Sequence, residues 1–121
     1  MTIGRPSRAV RKPSKYGNER VELDGQTFDS RREMERYCHL KLLQRAGRIS
    51  DLRCQVAFEL APAVRIQGRK RPALRYVADF VYREAGAAGD TVEDVKGKVT
   101  EGYRIKRHLM AVLGFEIKET R

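Results

Sequence analysis

Tyr76-Val77-Ala78-Asp79-Phe80-Val81-Tyr82, followed after a glycine-containing gap by Val92-Glu93-Asp94-Val95-Lys96-Gly97, is the stretch on which the reading of this chain turns. The run from Leu74 to Tyr82 is β-branched or aromatic at most positions and predicts a central strand. Ala85 to Asp90 is small and polar, which predicts a hairpin loop, and Thr91 to Lys96 reads as the returning strand, stopped by Gly97. Asp79 is the residue out of place. A carboxylate among apolar and aromatic neighbours is costly unless it is paired, faces solvent or binds a cation. On the next strand Asp94 and Lys96 lie two apart and share a face, while Val95 points to the other. With the loop centred near position 87.5, Asp79 is expected to pair with Lys96 and to lie diagonal to Asp94.

Working outward, Val21 and Leu23 before Asp24-Gly25 predict a short hairpin that returns through Thr27 and Phe28. Ser30 with Glu33 three residues on is a capping-box pair that opens a helix. Met34, Tyr37, Cys38, Leu42 and Ala46 follow at helical spacing, and Gly47 is its stop. In residues 53–60, Cys54, Val56, Phe58 and Leu60 alternate with Arg53, Gln55, Ala57 and Glu59, the period of a strand that ends near Pro62. Val64 and Ile66 continue it, and Gln67-Gly68 with Arg69-Lys70-Arg71 reads as a turn. Thr100 caps a second helix, with Tyr103, Met110 and Leu113 on its apolar side and Arg104, Lys106, Arg107 and His108 on its polar side. Gly114 ends it, and Phe115-Glu116-Ile117 is a short final strand. The fold class is α/β.

The whole chain, 121 residues with a formal net charge of +10, supports one small domain whose modest core makes dimerisation a natural supplement. The chain contains no apolar run of membrane-spanning length, and Met1-Thr2-Ile3-Gly4-Arg5 lacks the apolar stretch of a signal peptide, so an intracellular, cytoplasmic protein with no membrane partner is expected. Cys38 and Cys54 form no C-x-x-C motif, and His39 and His108 stand far apart, which excludes a disulfide scaffold and a zinc motif. Arg5, Arg8, Arg11, Lys12, Lys15 and Arg20 against Glu19 give residues 1–20 a charge of +5. Residues 1–18 therefore read as a flexible basic arm on a domain of residues 19–121, either a contact for nucleic-acid phosphates or a solubilising tail.

Two carboxylates beside a lysine suit a divalent cation such as Mg²⁺, which takes oxygen ligands and needs only one or two protein carboxylates. Such a site stabilises charge that builds on a phosphodiester, with the lysine orienting a water. The plainer alternative is a cross-strand ion pair between Asp79 and Lys96, worth little. Glu33 has a purely local use as the capping glutamate. Gln55 either lines a cleft or is an edge amide. Tyr16, Tyr76 and Tyr103 either stack on bases or fill the core. His39 and His108 read as surface residues, with His108 beside the basic positions of the second helix.

The text Lys15-Tyr16-Gly17-Asn18, Phe28-Asp29-Ser30 with Glu33 and Tyr37, Tyr76-Val77-Ala78-Asp79-Phe80 and Val92-Glu93-Asp94-Val95-Lys96-Gly97 resembles the PD-(D/E)xK nuclease superfamily. Within it the likeness is to a phage-borne family of small proteins, several regarded as Holliday-junction resolvases, and it covers about residues 15–118. The resemblance implies a restriction-endonuclease-like core, a mixed sheet flanked by two helices in αβββαβ order. It also implies a homodimer that uses Mg²⁺, with Mn²⁺ as substitute, to nick DNA four-way junctions in pairs. Asp79 matches the signature Asp, Asp94 the second acid, Lys96 the lysine, and Glu33 the helix acid that completes the metal site. Ala78 replaces the signature proline and Asp94 the commoner Glu. Strand alternation turns Glu93 to the face opposite Lys96, though a β-bulge would exchange it with Asp94. Arg5, Arg8, Arg11, Lys12, Lys15, Arg104 and Arg107 are the expected phosphate contacts. A nuclease for flaps or duplex ends shares this chemistry, whereas a non-catalytic basic nucleic-acid-binding protein has no use for Asp79.

Overall fold

The computed structural model describes residues 20–121. Arg5, Arg8, Arg11, Lys12, Lys15 and Tyr16, and the arm boundary at residue 18, lie outside the described residues. The chain divides after Glu35 into two compact units. In the first, β1 (Val21–Leu23) and β2 (Gln26–Phe28) form an antiparallel hairpin. Asp24 and Gly25 both take positive φ, 55° and 76°, which two-residue hairpin turns require. Ser30 Oγ then accepts the Glu33 N–H at 3.1 Å and opens α1 (Arg31–Arg45), which runs into the second unit.

The C-terminal end of α1 closes as the glycine signal requires. Gly47, at φ 80°, donates to the Gln44 carbonyl, and Arg48 donates to that of Leu43. Of the residues the apolar spacing selects, Tyr37 is buried and Met34 half-buried, whereas Cys38, Leu42 and Ala46 are exposed, and Leu40, which it omits, is buried. The apolar count traces the protected stripe only in part because that stripe also carries Arg36, whose guanidinium is tied to a buried carboxylate.

The second unit holds a four-stranded sheet of order β3-β6-β7-β8, from β3 (Ile49–Ala61), β6 (Leu74–Glu84), β7 (Asp90–Val95) and β8 (Ile117–Thr120). The first three strands are antiparallel, and β8 joins β7 in parallel through α2 (Glu101–Val112), the crossover that a parallel neighbour needs. β6 is thus an interior strand, as its composition predicts. Thr100 caps α2 by accepting the Tyr103 N–H at 3.1 Å, and Gly114, at φ 99°, follows its end. Several sequence boundaries move, among them β6, which runs on to Glu84, and β7, which ends at Val95 and leaves Lys96 just beyond it. β3 begins at Ile49, the last strand is Ile117–Thr120 rather than 115–117, and Arg69–Arg71 is a strand, β5, paired with β4 (Val64–Ile66). Leu113, expected on the apolar side of α2, is half exposed.

Side chains along β6 do not keep strict alternation. Tyr76 and Ala78 join Val81, Val92, Tyr103, Met110 and Ile117 in one core cluster. Phe80 instead stacks with Tyr37, at 6.5 Å between ring centres, and Tyr82 reaches Glu93. The parity of the strand therefore changes at Asp79. Opposite it, between the ladder pairs Cys54–Phe80 and Val56–Ala78, stands Gln55 with φ 55°, left-handed backbone that a non-glycine residue rarely adopts within a strand. Among the described residues no helix is long and apolar enough to cross a membrane.

Candidate active site

The ladder between β6 and β7 pairs Phe80 with Glu93, Val81 with Val92 and Tyr82 with Thr91. This register is two residues away from the one a loop centred at 87.5 gives. The reason is local. Ala87 donates to the Glu84 carbonyl and Gly86 takes φ 80°, so the chain turns early in the loop. Asp79 in consequence does not pair with Lys96. Its Oδ2 accepts the Val95 N–H at 2.8 Å, where β7 leaves the ladder, and the carboxylate sits against the peptide chain between Asp94 and Lys96.

Alternation on β7 separates the two acids that compete for the site. Glu93 is fully buried among donors: Arg36 Nε at 2.6 Å and Nη2 at 3.1 Å, the Tyr82 hydroxyl at 2.6 Å and the Thr120 hydroxyl at 3.0 Å. Burial acts to raise its carboxyl, but the hydrogen bonds from Arg36 and Tyr82 and the guanidinium charge outweigh it and hold the group below the usual range. Glu93 is a structural anchor for α1. Asp94, on the other face, is 5% exposed; its Oδ2 accepts the Tyr76 hydroxyl at 2.6 Å and lies 3.7 Å from Lys96 Nζ. Both contacts use one oxygen. Among the described residues Oδ1 of Asp94 accepts nothing, an unsatisfied buried acceptor of the kind that a cation satisfies.

Lys96 is steered from two sides. Its backbone N–H continues the parallel ladder to the Thr120 carbonyl, at 2.7 Å. Its ammonium lies 3.9 Å from the centre of the Tyr103 ring, close enough for a cation–π contact. The Tyr103 hydroxyl donates to Glu119 Oε2 at 2.6 Å, and Arg107 donates to the same oxygen at 2.8 Å. Those two donors hold the Glu119 carboxyl below its usual range, the tyrosine bond contributing most. Burial first, then the bond to Asp94, pushes the Tyr76 hydroxyl well above the usual tyrosine value, and burial with the bond to Glu119 does the same to Tyr103. Both rings also belong to the core, so their use is structural and local to the site at once.

Asp79, Asp94 and Lys96 are therefore brought together, and Gln55 stands at the register position across from Asp79. Glu33 lies in the first unit, buried, with its amide in the helix cap. Arg104 and Arg107 are each paired with an acid, Glu101 and Glu119. Tyr76 and Tyr103 were legible as aromatic positions, but nothing in one-dimensional spacing marks them as partners of Asp94 and Lys96. Glu119 carried no signal at all. Among the described residues no group of three or more His, Cys, Asp and Glu side chains is gathered as if for a metal ion. Two carboxylates are nonetheless enough for a Mg²⁺ that keeps most of its waters, and the unsatisfied oxygen of Asp94 fits that use.

The chain belongs to the family described as "Protein of unknown function (DUF1064)", whose model matches residues 13–120. No curated protein and no solved structure matches it.

Proposed function

We propose that this protein is a metal-dependent endonuclease with a restriction-endonuclease-like core, hydrolysing phosphodiester bonds in branched DNA, and that four-way junctions are its substrate. The observation that supports the reading is the placing of the Asp79 carboxylate on the Val95 N–H, between an acid near the end of β7 and a lysine just beyond it. A basic nucleic-acid-binding protein gains nothing from two carboxylates on interior strands near phosphate. The αβββαβ order of the main sheet and helices is the order that the resemblance implies.

Asp79 and Asp94 would hold Mg²⁺ or Mn²⁺. Bound there, the ion lowers the pKa of a coordinated water and neutralises charge on the phosphodiester. Lys96 contributes a positive group aimed from the Asp94 side, where it orients water or a phosphate oxygen. Tyr76 fixes which oxygen of Asp94 faces inward by occupying the other. Junction cleavage by paired nicks requires two such sites related by a two-fold axis, hence a homodimer. The end of α2 leaves Val112, Leu113 and Phe115 exposed, apolar surface that a partner protomer would cover.

The test is incubation of a fixed four-way junction, a linear duplex and a single strand with the full chain, with and without Mg²⁺. Junction cleavage that needs the ion is expected, and Asp79→Asn, Asp94→Asn and Lys96→Ala abolish it while binding persists. Undiminished turnover in folded Asp79→Asn overturns the site. Equal cutting of junction and duplex, or a monomer by light scattering at working concentration, overturns the resolvase reading and leaves the nuclease.

A further inference from the structure

The net charge of +10 is carried in two places. Residues 1–20 hold +5, residues 62–75 hold the other +5 without a single acid, and the rest of the chain balances to zero. The second concentration coincides with the β4–β5 hairpin, a two-stranded sheet of its own, separate from the main sheet and exposed at every residue from 64 to 71. Gln67 and Gly68, at φ 52° and 77°, make its two-residue turn.

The register of this ribbon distributes its cations over both faces. Arg65 stands opposite Lys70, so these two point one way; Val64 and Ile66 face Arg71 and Arg69, which point the other way. Among the described residues none of these four cations enters an ion pair, and Arg65 reaches only the Gly68 carbonyl of its own turn. A free-standing two-stranded ribbon is marginal in stability, and like charges directly opposite each other weaken it further. Its composition therefore works against folding and is suited to a polyanion.

Two-sided charge also chooses between polyanions. An anionic membrane is a plane and would draw cations to one face. A duplex groove has two phosphate walls, and the major groove, about 12 Å wide, admits a two-stranded β-ribbon. We infer that the β4–β5 ribbon is a duplex-binding arm that enters a groove of double-stranded DNA, with Arg65 and Lys70 facing the phosphates of one wall and Arg69 and Arg71 those of the other. The inference rests on the nucleic-acid part of the reading above but not on its hydrolytic chemistry.

The experiment measures binding of the full chain to a labelled linear duplex and a fixed junction without divalent cation, as a function of salt. Arg65→Gln/Lys70→Gln and Arg69→Gln/Arg71→Gln are each expected to lower the slope of log affinity against log salt by about 2, and the fourfold variant by about 4. Arg45→Gln/Arg48→Gln, an equal charge change at exposed positions elsewhere, is expected to change it by less than about 1. Lys70→Glu gives Arg65 an opposite charge across the ribbon, so it raises the melting temperature while weakening DNA binding more than Lys70→Gln, which separates loss of contact from loss of fold. A slope that responds to only one of the two faces overturns groove entry. A control pair as damaging as either ribbon pair overturns the assignment to this hairpin. Phosphatidylserine vesicles bound as tightly as the duplex, with the same losses in the variants, overturn DNA as the partner. Since no step needs cleavage, a protein that binds through the ribbon yet cuts nothing leaves this inference standing and removes only the nuclease.

Discussion

The Lys96 ammonium rests 3.9 Å above the Tyr103 ring, whose hydroxyl is itself held by Glu119. The lysine at the centre of the site thus stands on a platform braced from β8. A ring can position a cation without neutralising it, which leaves the charge available.

Removing the platform in stages separates its two parts. Tyr103→Phe keeps the ring and loses the bond to Glu119, at a cost of about 1 kcal/mol in urea unfolding. Tyr103→Leu also loses the cation–π contact, about 0.5–2 kcal/mol more. If Lys96 acts as proposed, cleavage survives Tyr103→Phe and falls severalfold further in Tyr103→Leu at equal folded fraction. Equal activity in the two variants removes the ring from the site.

Glu93 governs an acid limb of stability. Its carboxyl is held below the ordinary 4.5 in the fold, so its contribution is complete above that value and is lost as pH falls through the lower folded value. Glu119 acts with the same sign. Glu93→Gln is expected to flatten urea-unfolding stability relative to wild type as pH falls below 4.5. Glu93→Ala leaves Arg36, only 20% exposed, without its carboxylate and costs about 3–5 kcal/mol at neutral pH.

Alkaline titration has the opposite sign. Tyr76, Tyr82 and Tyr103 are all pushed above the usual 10.0, chiefly by burial and then by bonds to Asp94, Glu93 and Glu119. Their contribution is complete below that value and is lost as pH rises toward the higher folded values. Absorbance near 295 nm should therefore show these three ionising only as the protein unfolds. Asp94→Ala leaves the buried Tyr76 hydroxyl without its acceptor, a loss of about 1–3 kcal/mol, whereas Asp94→Asn keeps an acceptor and costs less.

Thr100→Ala removes the oxygen that accepts the Tyr103 N–H and is expected to cost about 1 kcal/mol, read as a shift in the urea midpoint at unchanged slope.

Much of the local architecture is legible in the chain because it depends on neighbours in sequence. Ser30 and Thr100 mark helix starts through their own hydroxyls. Asp24-Gly25 and Gly47 mark turns and ends because few residues adopt positive φ cheaply. The two-residue period alone puts Asp94 with Lys96 and turns Glu93 away, and the structure keeps both assignments. The apolar run of β6 marks an interior strand because an edge would expose it.

What the chain does not carry is whatever depends on how distant segments meet. The early turn at Gly86 moves the register by two residues and sends Asp79 to the Val95 amide rather than to Lys96. The parity change at Asp79, with Gln55 left-handed across from it, lets Tyr76 reach Asp94 while Tyr82 reaches Glu93. Parallel pairing of β8 brings Glu119 behind Tyr103, and so the platform under Lys96. Sequence by itself determined most of the elements and which charged residues they carry, since turns, caps and alternation are short-range. Tertiary structure decided which oxygen, ring and amide each charged group meets, since loop closure and strand register are set by the packing of the whole sheet.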